Sequence, residues 1–197
     1  MGQPVGFNGN AWRVGQSRFD EEKNLKHKRT ELGPHVMFDG ERCISCSRCI
    51  RFCEDIVGEP QLTFVERGDR VTIETFPGKK LDNPYSINVI DICPVGALTA
   101  KPSRYNGRSW EMVQHAAIAP HDCIGSNIYV HTLRGDVKRV VPRDNEAINE
   151  VWISDRDRFS YQALNSEDRL VAPMIRVDGQ WRETDWSTAL EAAAAGA

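Results

Sequence analysis

Cys43, Cys46 and Cys49 stand at every third position, Cys53 follows four residues on, and a lone Cys93-Pro94 lies far downstream. C-x2-C-x2-C-x3-C is the spacing with which a single loop holds corners of a [4Fe-4S] cubane, the last cysteine of such a run serving a different cluster. The irons of a cubane sit only a few ångströms apart, so a thiolate at every third residue reaches three corners. The fourth corner needs a ligand from elsewhere. This spacing therefore demands a tight cysteine loop and a fold that returns a distant cysteine to it.

Counting back from Cys93 with the same spacing lands on Asn83, Ser86 and Val89. The chain thus carries one complete motif and the remains of a second, which has lost its three local cysteines and kept the one that serves the first cluster. That arithmetic assigns Cys43, Cys46, Cys49 and Cys93 to one [4Fe-4S] cluster and leaves Cys53, followed by Glu54 where proline is usual, as an orphan. Two alternatives stay open at this point: a cluster closed locally by Cys43, Cys46, Cys49 and Cys53, and a four-cysteine zinc site, although zinc sites are usually built from two separated C-x2-C pairs. Disulfides fit less well, because cysteines three apart in a loop rarely satisfy disulfide geometry and no signal peptide points to an oxidising compartment.

The 197 residues can hold one large domain or two small ones. A net charge of -3 leaves no electrostatic footprint for nucleic acid. Mean hydropathy is -0.48, and no apolar stretch approaches the length of a membrane span, so membrane association is expected through partners. The chain has no nucleophile with a neighbouring base, no phosphate-cradling glycine loop and no nicotinamide fingerprint, and it is not expected to bind NADH or break substrate bonds itself. His27, His35, His115, His121 and His131 are scattered without metal-ligand spacing and read as ordinary surface or core histidines.

Both ends suggest a fragment. Residues 1–35 run glycine-rich and then highly charged without apolar periodicity, which predicts an extended arm, and the run from Trp186 to Ala197 begins like a helix capped by Asp185 or Ser187 and stops early. Between them, Val36-Met37-Phe38 predicts a strand into the cysteine loop and residues 50–57 a short helix out of it. Residues 62–66 and 70–75 alternate around Arg67-Gly68-Asp69 as a hairpin, and Ser86 to Ile92 approaches Cys93 as a helix. Further on, residues 127–133 and 137–141 flank a Gly135-Asp136 turn, which accounts for the Arg134-Gly135-Asp136 triplet without a cell-adhesion role, and residues 174–182 predict another hairpin.

The cysteine run, Asp91-Ile92-Cys93-Pro94-Val95-Gly96-Ala97-Leu98-Thr99, Arg108-Ser109-Trp110-Glu111 and Asn149-Glu150-Val151-Trp152-Ile153-Ser154-Asp155 together resemble the large iron–sulfur subunits of proton-pumping NADH:quinone oxidoreductases, known as the G subunit in bacteria and the 75 kDa subunit in mitochondrial complex I. The resemblance implies an α+β chain with a ferredoxin-like [4Fe-4S] domain at residues 36–109, followed by the truncated start of a β-rich molybdopterin-oxidoreductase-like domain at residues 110–197. It also implies a relay of single electrons from a partner subunit's flavin, reduced by NADH, toward quinone. Other peripheral-arm subunits would be the partners, and the cytoplasmic side of a bacterial inner membrane, or the mitochondrial matrix side, the location. The [2Fe-2S] and histidine-ligated [4Fe-4S] sites that precede this region in the family are not found here. Some members hold a further cubane through C-x2-C-x3-C and a distant fourth cysteine; that register falls on Ala119, Asp122, Ser126 and Ser154, so this cluster is expected to be absent and Cys123, one position off, to be a plain core residue. Arg42, Arg48 and Arg51 could soften a cluster's negative charge or simply face solvent. Other readings are an iron–sulfur component of a soluble NAD-linked hydrogenase or formate dehydrogenase, to which the Trp110 to Asp155 features do not point, and a non-redox four-cysteine scaffold.

Overall fold

The computed structural model describes residues 24–196. These residues divide into two compact units, residues 24–81 with Val89–Thr99, and Asp82–Asn88 with residues 100–196. The second unit therefore takes residues 82–88 and 100–109 in addition to the expected 110–197. Of the expected arm, residues 1–23 lie outside the described residues, and Thr30–Glu31 is a short strand, β1, of the first unit.

In the first unit β1 pairs antiparallel with β2 (Val36–Phe38), with Thr30 opposite Phe38 and Glu31 opposite Met37. Strand β2 lies between β1 and β5 (Leu98–Ala100), a strand that follows Cys93-Pro94. The side chains of β2 alternate, so Val36 and Phe38 enter a core that includes Leu32, Ile50, Phe52, Leu62, Ile73, Leu81, Val89, Ala97 and Leu98. Helix α1 (Arg48–Arg51) runs directly into a π-helical turn, Phe52–Ile56. Together they bury Cys49, Ile50, Phe52 and Cys53 and leave Arg48 and Arg51 in solvent. The predicted hairpin is β3 (Leu62–Val65) paired with β4 (Thr72–Thr75), and a 3-10 turn at Gly68–Arg70 begins the return.

The second unit centres on an antiparallel sheet of β6 (Val113–Ile118), β7 (Asn127–Leu133) and β8 (Asp136–Pro142), in that spatial order. Its apolar cluster is Ala119, Ile128, Val140 and Ile153, with Ala117, Val130 and Tyr161 packed against it. The β7–β8 turn is Arg134-Gly135, one residue earlier than the sequence suggested, and Asp136 already pairs with Leu133. Both turn residues have positive φ, 56° and 90°, as a two-residue hairpin matching the strand twist requires. The same geometry recurs at Asp178 and Gly179, between β9 (Met174–Val177) and β10 (Gln180–Glu183). Asn149 closes the long loop after β8: its Oδ1 accepts from the Asn127 N–H at 3.0 Å, and its Nδ2 donates to the Arg143 and Trp152 carbonyls, each at 3.2 Å.

Helix α2 (Asn88–Asp91) approaches Cys93 as expected, though shorter than the sequence implied; its first residue belongs to the second unit and the others to the first. Two further helices complete the second unit. Helix α3 (Asp155–Phe159) is capped by Ser154, whose Oγ accepts from the Asp157 N–H at 3.2 Å. Helix α4 (Trp186–Gly196) is capped by Asp185 and not Ser187, the Thr188 N–H donating to Asp185 at 2.9 Å.

Two positions make the energetics testable. Gly33 lies so close to the Leu81 backbone that an added Cβ would overlap the Leu81 carbonyl, so Gly33→Ala should destabilise the first unit by about 1–3 kcal/mol in denaturant titration. His131 is buried, and its Nδ1 accepts from Arg139 Nε at 3.0 Å, which places the ring proton on Nε2. Burial, and then the Arg139 charge, hold its pKa below the ordinary 6.5. The unfolded chain therefore takes up a proton that the folded one refuses: the contribution of His131 to stability is present above about pH 6.5 and is lost as pH falls below it. Denaturation midpoints measured from pH 7.5 to 5 should fall more steeply in the parent chain than in His131→Gln.

Candidate iron–sulfur site

Strand β2 ends at Phe38, and the Asp39 N–H donates to the Ala97 carbonyl at 2.8 Å. Cys43 follows that bond by four residues, and Cys93 precedes it by four. The turn then tightens through Arg42 N–H to the Asp39 carbonyl (3.2 Å) and Cys43 N–H to the Gly40 carbonyl (3.3 Å). Within the loop Ser45 and Ser47 adopt left-handed backbone, φ 54° and 61°. Neither is glycine, so each conformation costs on the order of 1–2 kcal/mol and persists because its surroundings impose it. Left-handed residues alternating with ordinary ones turn backbone N–H groups toward a common concavity, the kind of nest that receives anions and iron–sulfur clusters. One such bond is already made, the Ser45 N–H donating to Cys43 Sγ at 3.4 Å.

The thiols differ in environment. Cys49 is buried, and burial is the main cause that pushes its thiol up to about 12; a charged Cys43 adds to the rise, as do Cys53 and Cys46, while the Ile50 N–H opposes it. These four sulfurs therefore share one electrostatic neighbourhood. Cys53 is fully enclosed and is pushed up to about 11, again chiefly by burial, with the Gln61 N–H acting in the other direction and Glu54 raising it further. Cys46 is exposed, whereas Cys43 and Cys93 are half-buried. Cys93 leaves α2 with its N–H on the Ile90 carbonyl at 3.3 Å. Thiols raised this far are protonated near neutrality, so a metal must displace their protons when it binds.

Among the described residues, no three histidine, cysteine or acidic side chains converge on a single metal ion. A tetrahedral zinc site needs sulfurs about 3.8 Å apart, from its 2.3 Å bonds. A cubane gives each thiolate its own corner iron and keeps the sulfurs well separated. A loop shaped by two left-handed serines, with an amide already directed at a cysteine sulfur, has the nest-like form that receives an anionic cluster.

The arginines take the solvent option: Arg42 faces Asp39 at 3.5 Å and Arg51 faces Asp55 at 3.4 Å, both from exposed side chains. In the second unit the four register positions serve hydrogen bonding and packing. Ala119 is buried and donates its N–H to the Ser126 carbonyl at 2.8 Å; Asp122 accepts from the Gly125 N–H at 2.8 Å and the Ser126 N–H at 3.1 Å; Ser154 caps α3. Burial acts to raise the Asp122 carboxyl, but the hydrogen bonds from Ser126 and Gly125 together outweigh it and hold the group below its usual range. Cys123 is exposed, which corrects the expectation of a core residue. Sequence reasoning did not find the left-handed serines, and no signal in residue type marks them, since serine rarely adopts that backbone.

The chain is similar to known proteins over most of its length. Residues 33–99 match the family model "NADH-quinone oxidoreductase subunit 3, ferredoxin-like domain", and residues 114–162 match "NADH-ubiquinone oxidoreductase NDSU1/NuoG-like, 4Fe-4S domain". The second stretch contains a single cysteine, Cys123, so its residues do not fit a four-thiolate cluster. The G subunit of NADH-quinone oxidoreductase from Rickettsia conorii is 43% identical over 181 residues, covering 91% of this chain and 26% of the relative. The mitochondrial 78 kDa subunit of NADH-ubiquinone oxidoreductase from Neurospora crassa is 41% identical over 185 residues (94% and 24%), and the 75 kDa subunit of Reclinomonas americana 41% over 174 residues (88% and 25%). The chain thus spans about a quarter of the length of these relatives. Two domain matches, carried on a continuous similarity, make the chain similar along most of its length to a stretch of the bacterial NADH-quinone oxidoreductase G subunits and the mitochondrial 75 and 78 kDa subunits.

Proposed function

We propose that this chain is the electron-relaying segment of an NADH:quinone oxidoreductase iron–sulfur subunit, and that Cys43, Cys46, Cys49 and Cys93 hold one [4Fe-4S] cluster. The observation that carries this reading is the strained loop in which Ser45 and Ser47 turn left-handed and the Ser45 N–H meets Cys43 Sγ. When bound, such a cluster accepts and passes on one electron at a time. The residues of the chain do the rest. Three loop thiolates would take three corners and Cys93 the fourth, while amide donors to sulfur would stabilise charge on the ligands and so tune the potential. Burial of Cys49 keeps water from that side of the site.

Cys53 is a core residue in this reading, its sulfur enclosed and met by the Gln61 N–H. The second unit is the start of a β-rich molybdopterin-oxidoreductase-like domain without a cluster of its own, a reading supported by its antiparallel sheet and by the residues at positions 119, 122, 126 and 154. Electrons come from a partner's flavin, reduced by NADH, and leave toward quinone through the other peripheral-arm subunits. No helix among the described residues is long and apolar enough to cross a membrane, so the membrane contact is assigned to those partners, on the cytoplasmic side in bacteria or the matrix side in mitochondria.

The two candidate ligand sets differ by one residue and are separable by substitution. After reconstitution, Cys53→Ser should retain about four irons per chain and an unchanged EPR signal when reduced, whereas Cys93→Ser should lose most of its iron. The opposite pattern would make this a cluster closed on one loop.

A further inference from the structure

Asp39 stands between the two halves of the proposed ligand set: it lies four residues before Cys43, and it bonds to Ala97, four residues after Cys93. All of its polar groups are engaged. The N–H donates to the Ala97 carbonyl at 2.8 Å, and the carbonyl accepts from the Arg42 N–H at 3.2 Å. Oδ1 accepts from the Glu41 N–H at 3.1 Å, and Oδ2 faces Arg42 Nε at 3.5 Å. The bond to Ala97 is a backbone bond that any residue but proline could make. What aspartate adds is the direction of the chain beyond it, because a side-chain oxygen on the amide two residues ahead turns the backbone locally. The Asp39 side chain is only 16% exposed, so the bond from Glu41 is shielded from competing water.

The same turn is held from outside by residues 26 and 27. The Gly40 N–H donates to the His27 carbonyl at 3.0 Å, and the Lys26 N–H donates to Glu41 Oε1 at 2.6 Å. Lys26 Nζ donates in turn to the Val71 carbonyl at 2.8 Å, which anchors this strap to the residue before β4. The fit at Gly40 is close, since an added Cβ would stand 3.0 Å from the His27 carbonyl oxygen and 3.1 Å from Lys26 Cβ. Every residue named here lies in the first unit, as do the four cysteines. The Cys43 N–H bonds the Gly40 carbonyl at 3.3 Å, so the first cysteine of the loop departs from a turn fixed by β5, by the strap and by the Asp39 carboxylate. We infer that Asp39 and Glu41 are positioning residues for the iron–sulfur site, Asp39 setting Cys43 relative to Cys93 and Glu41 fastening the turn between them to Lys26. The inference rests on Cys43 and Cys93 being ligands of one cluster. Outer residues that orient metal ligands commonly govern metal retention by about 10–100-fold.

The test uses the reconstituted full chain and reads the rate at which a ferrous chelator extracts iron, with the linewidth of the reduced EPR signal as a second readout. Asp39→Ala should release iron about tenfold faster or more, with a broadened signal. Asp39→Asn keeps an oxygen for the Glu41 N–H and loses only an ion pair to an exposed arginine, so it should restore the parental rate and linewidth. Glu41→Ala should shift both readouts in the same direction by less, and Glu41→Gln should restore them. Ile73→Val, which loosens the core of the same unit at the β3–β4 hairpin, should release iron at the parental rate. A parental rate and linewidth in Asp39→Ala, an Asp39→Asn chain as impaired as Asp39→Ala, or equal release from Ile73→Val would each overturn the inference. If circular dichroism finds Asp39→Ala unfolded, the Glu41 pair decides, and a Glu41→Ala chain no different from Glu41→Gln sinks the idea. A Cys43→Ser chain measured alongside keeps the failures apart: full iron retention there would overturn the ligand set and the inference with it, whereas iron loss there beside unchanged Asp39 and Glu41 variants overturns the inference alone.

Discussion

The first unit depends on the join between β2 and β5, closed by the Asp39 N–H on the Ala97 carbonyl at 2.8 Å. A loop of three thiolates cannot close a cubane, and Cys93, the fourth ligand we propose, lies some forty residues beyond Cys49. Bringing two such segments together costs loop-closure entropy, which grows only slowly with length, so a long intervening hairpin is tolerated. What the fold must supply is a rigid meeting point, and the central strand of a three-stranded sheet provides it. The β3–β4 hairpin then fills the interval, contributing Leu62 and Ile73 to the same core. Gly33 and its close approach to Leu81 belong to the same requirement, since that contact ties the start of β2 to the segment that leads back toward Cys93.

Two stretches show the same pattern. Where the ferredoxin arithmetic places a second set of ligands, the chain has a buried asparagine, serine and valine; where the family register places another cubane, it has alanine, aspartate and two serines. A cluster organises its loop by drawing thiolates and amides around one anionic object. At these positions the amides have side-chain acceptors: Asp122 takes the N–H groups of Gly125 and Ser126 while Asp155 takes that of Ile87.

Much of this was legible in the sequence. The cysteine loop followed from spacing, and the β7–β8 and β9–β10 hairpins followed from alternation on either side of a glycine turn. The missed elements have identifiable causes. Strand β6 exposes most of its residues and so shows no apolar alternation, and β1 is two residues long within a charged run. Helix α3 is five residues with four charges, stabilised by its Ser154 cap and by buried partners; no periodic stripe could reveal it. The bonds of Asn88 to Ile153 and Arg158, and of Ser86 to Asp155, were hidden for the same reason, because they link positions whose meeting is decided by tertiary structure. The left-handed serines were invisible because the conformation contradicts their propensity, which is also why they are informative once seen.

The central claim is that a single cubane is held by one loop and one distant cysteine. Native mass spectrometry of the anaerobically reconstituted chain tests it most directly, because the bound inorganic species is read as one mass. The account predicts a single added Fe4S4 unit on a folded monomeric chain. Addition of two such units, or of one zinc ion in preference to any iron–sulfur species when both are offered, would contradict it.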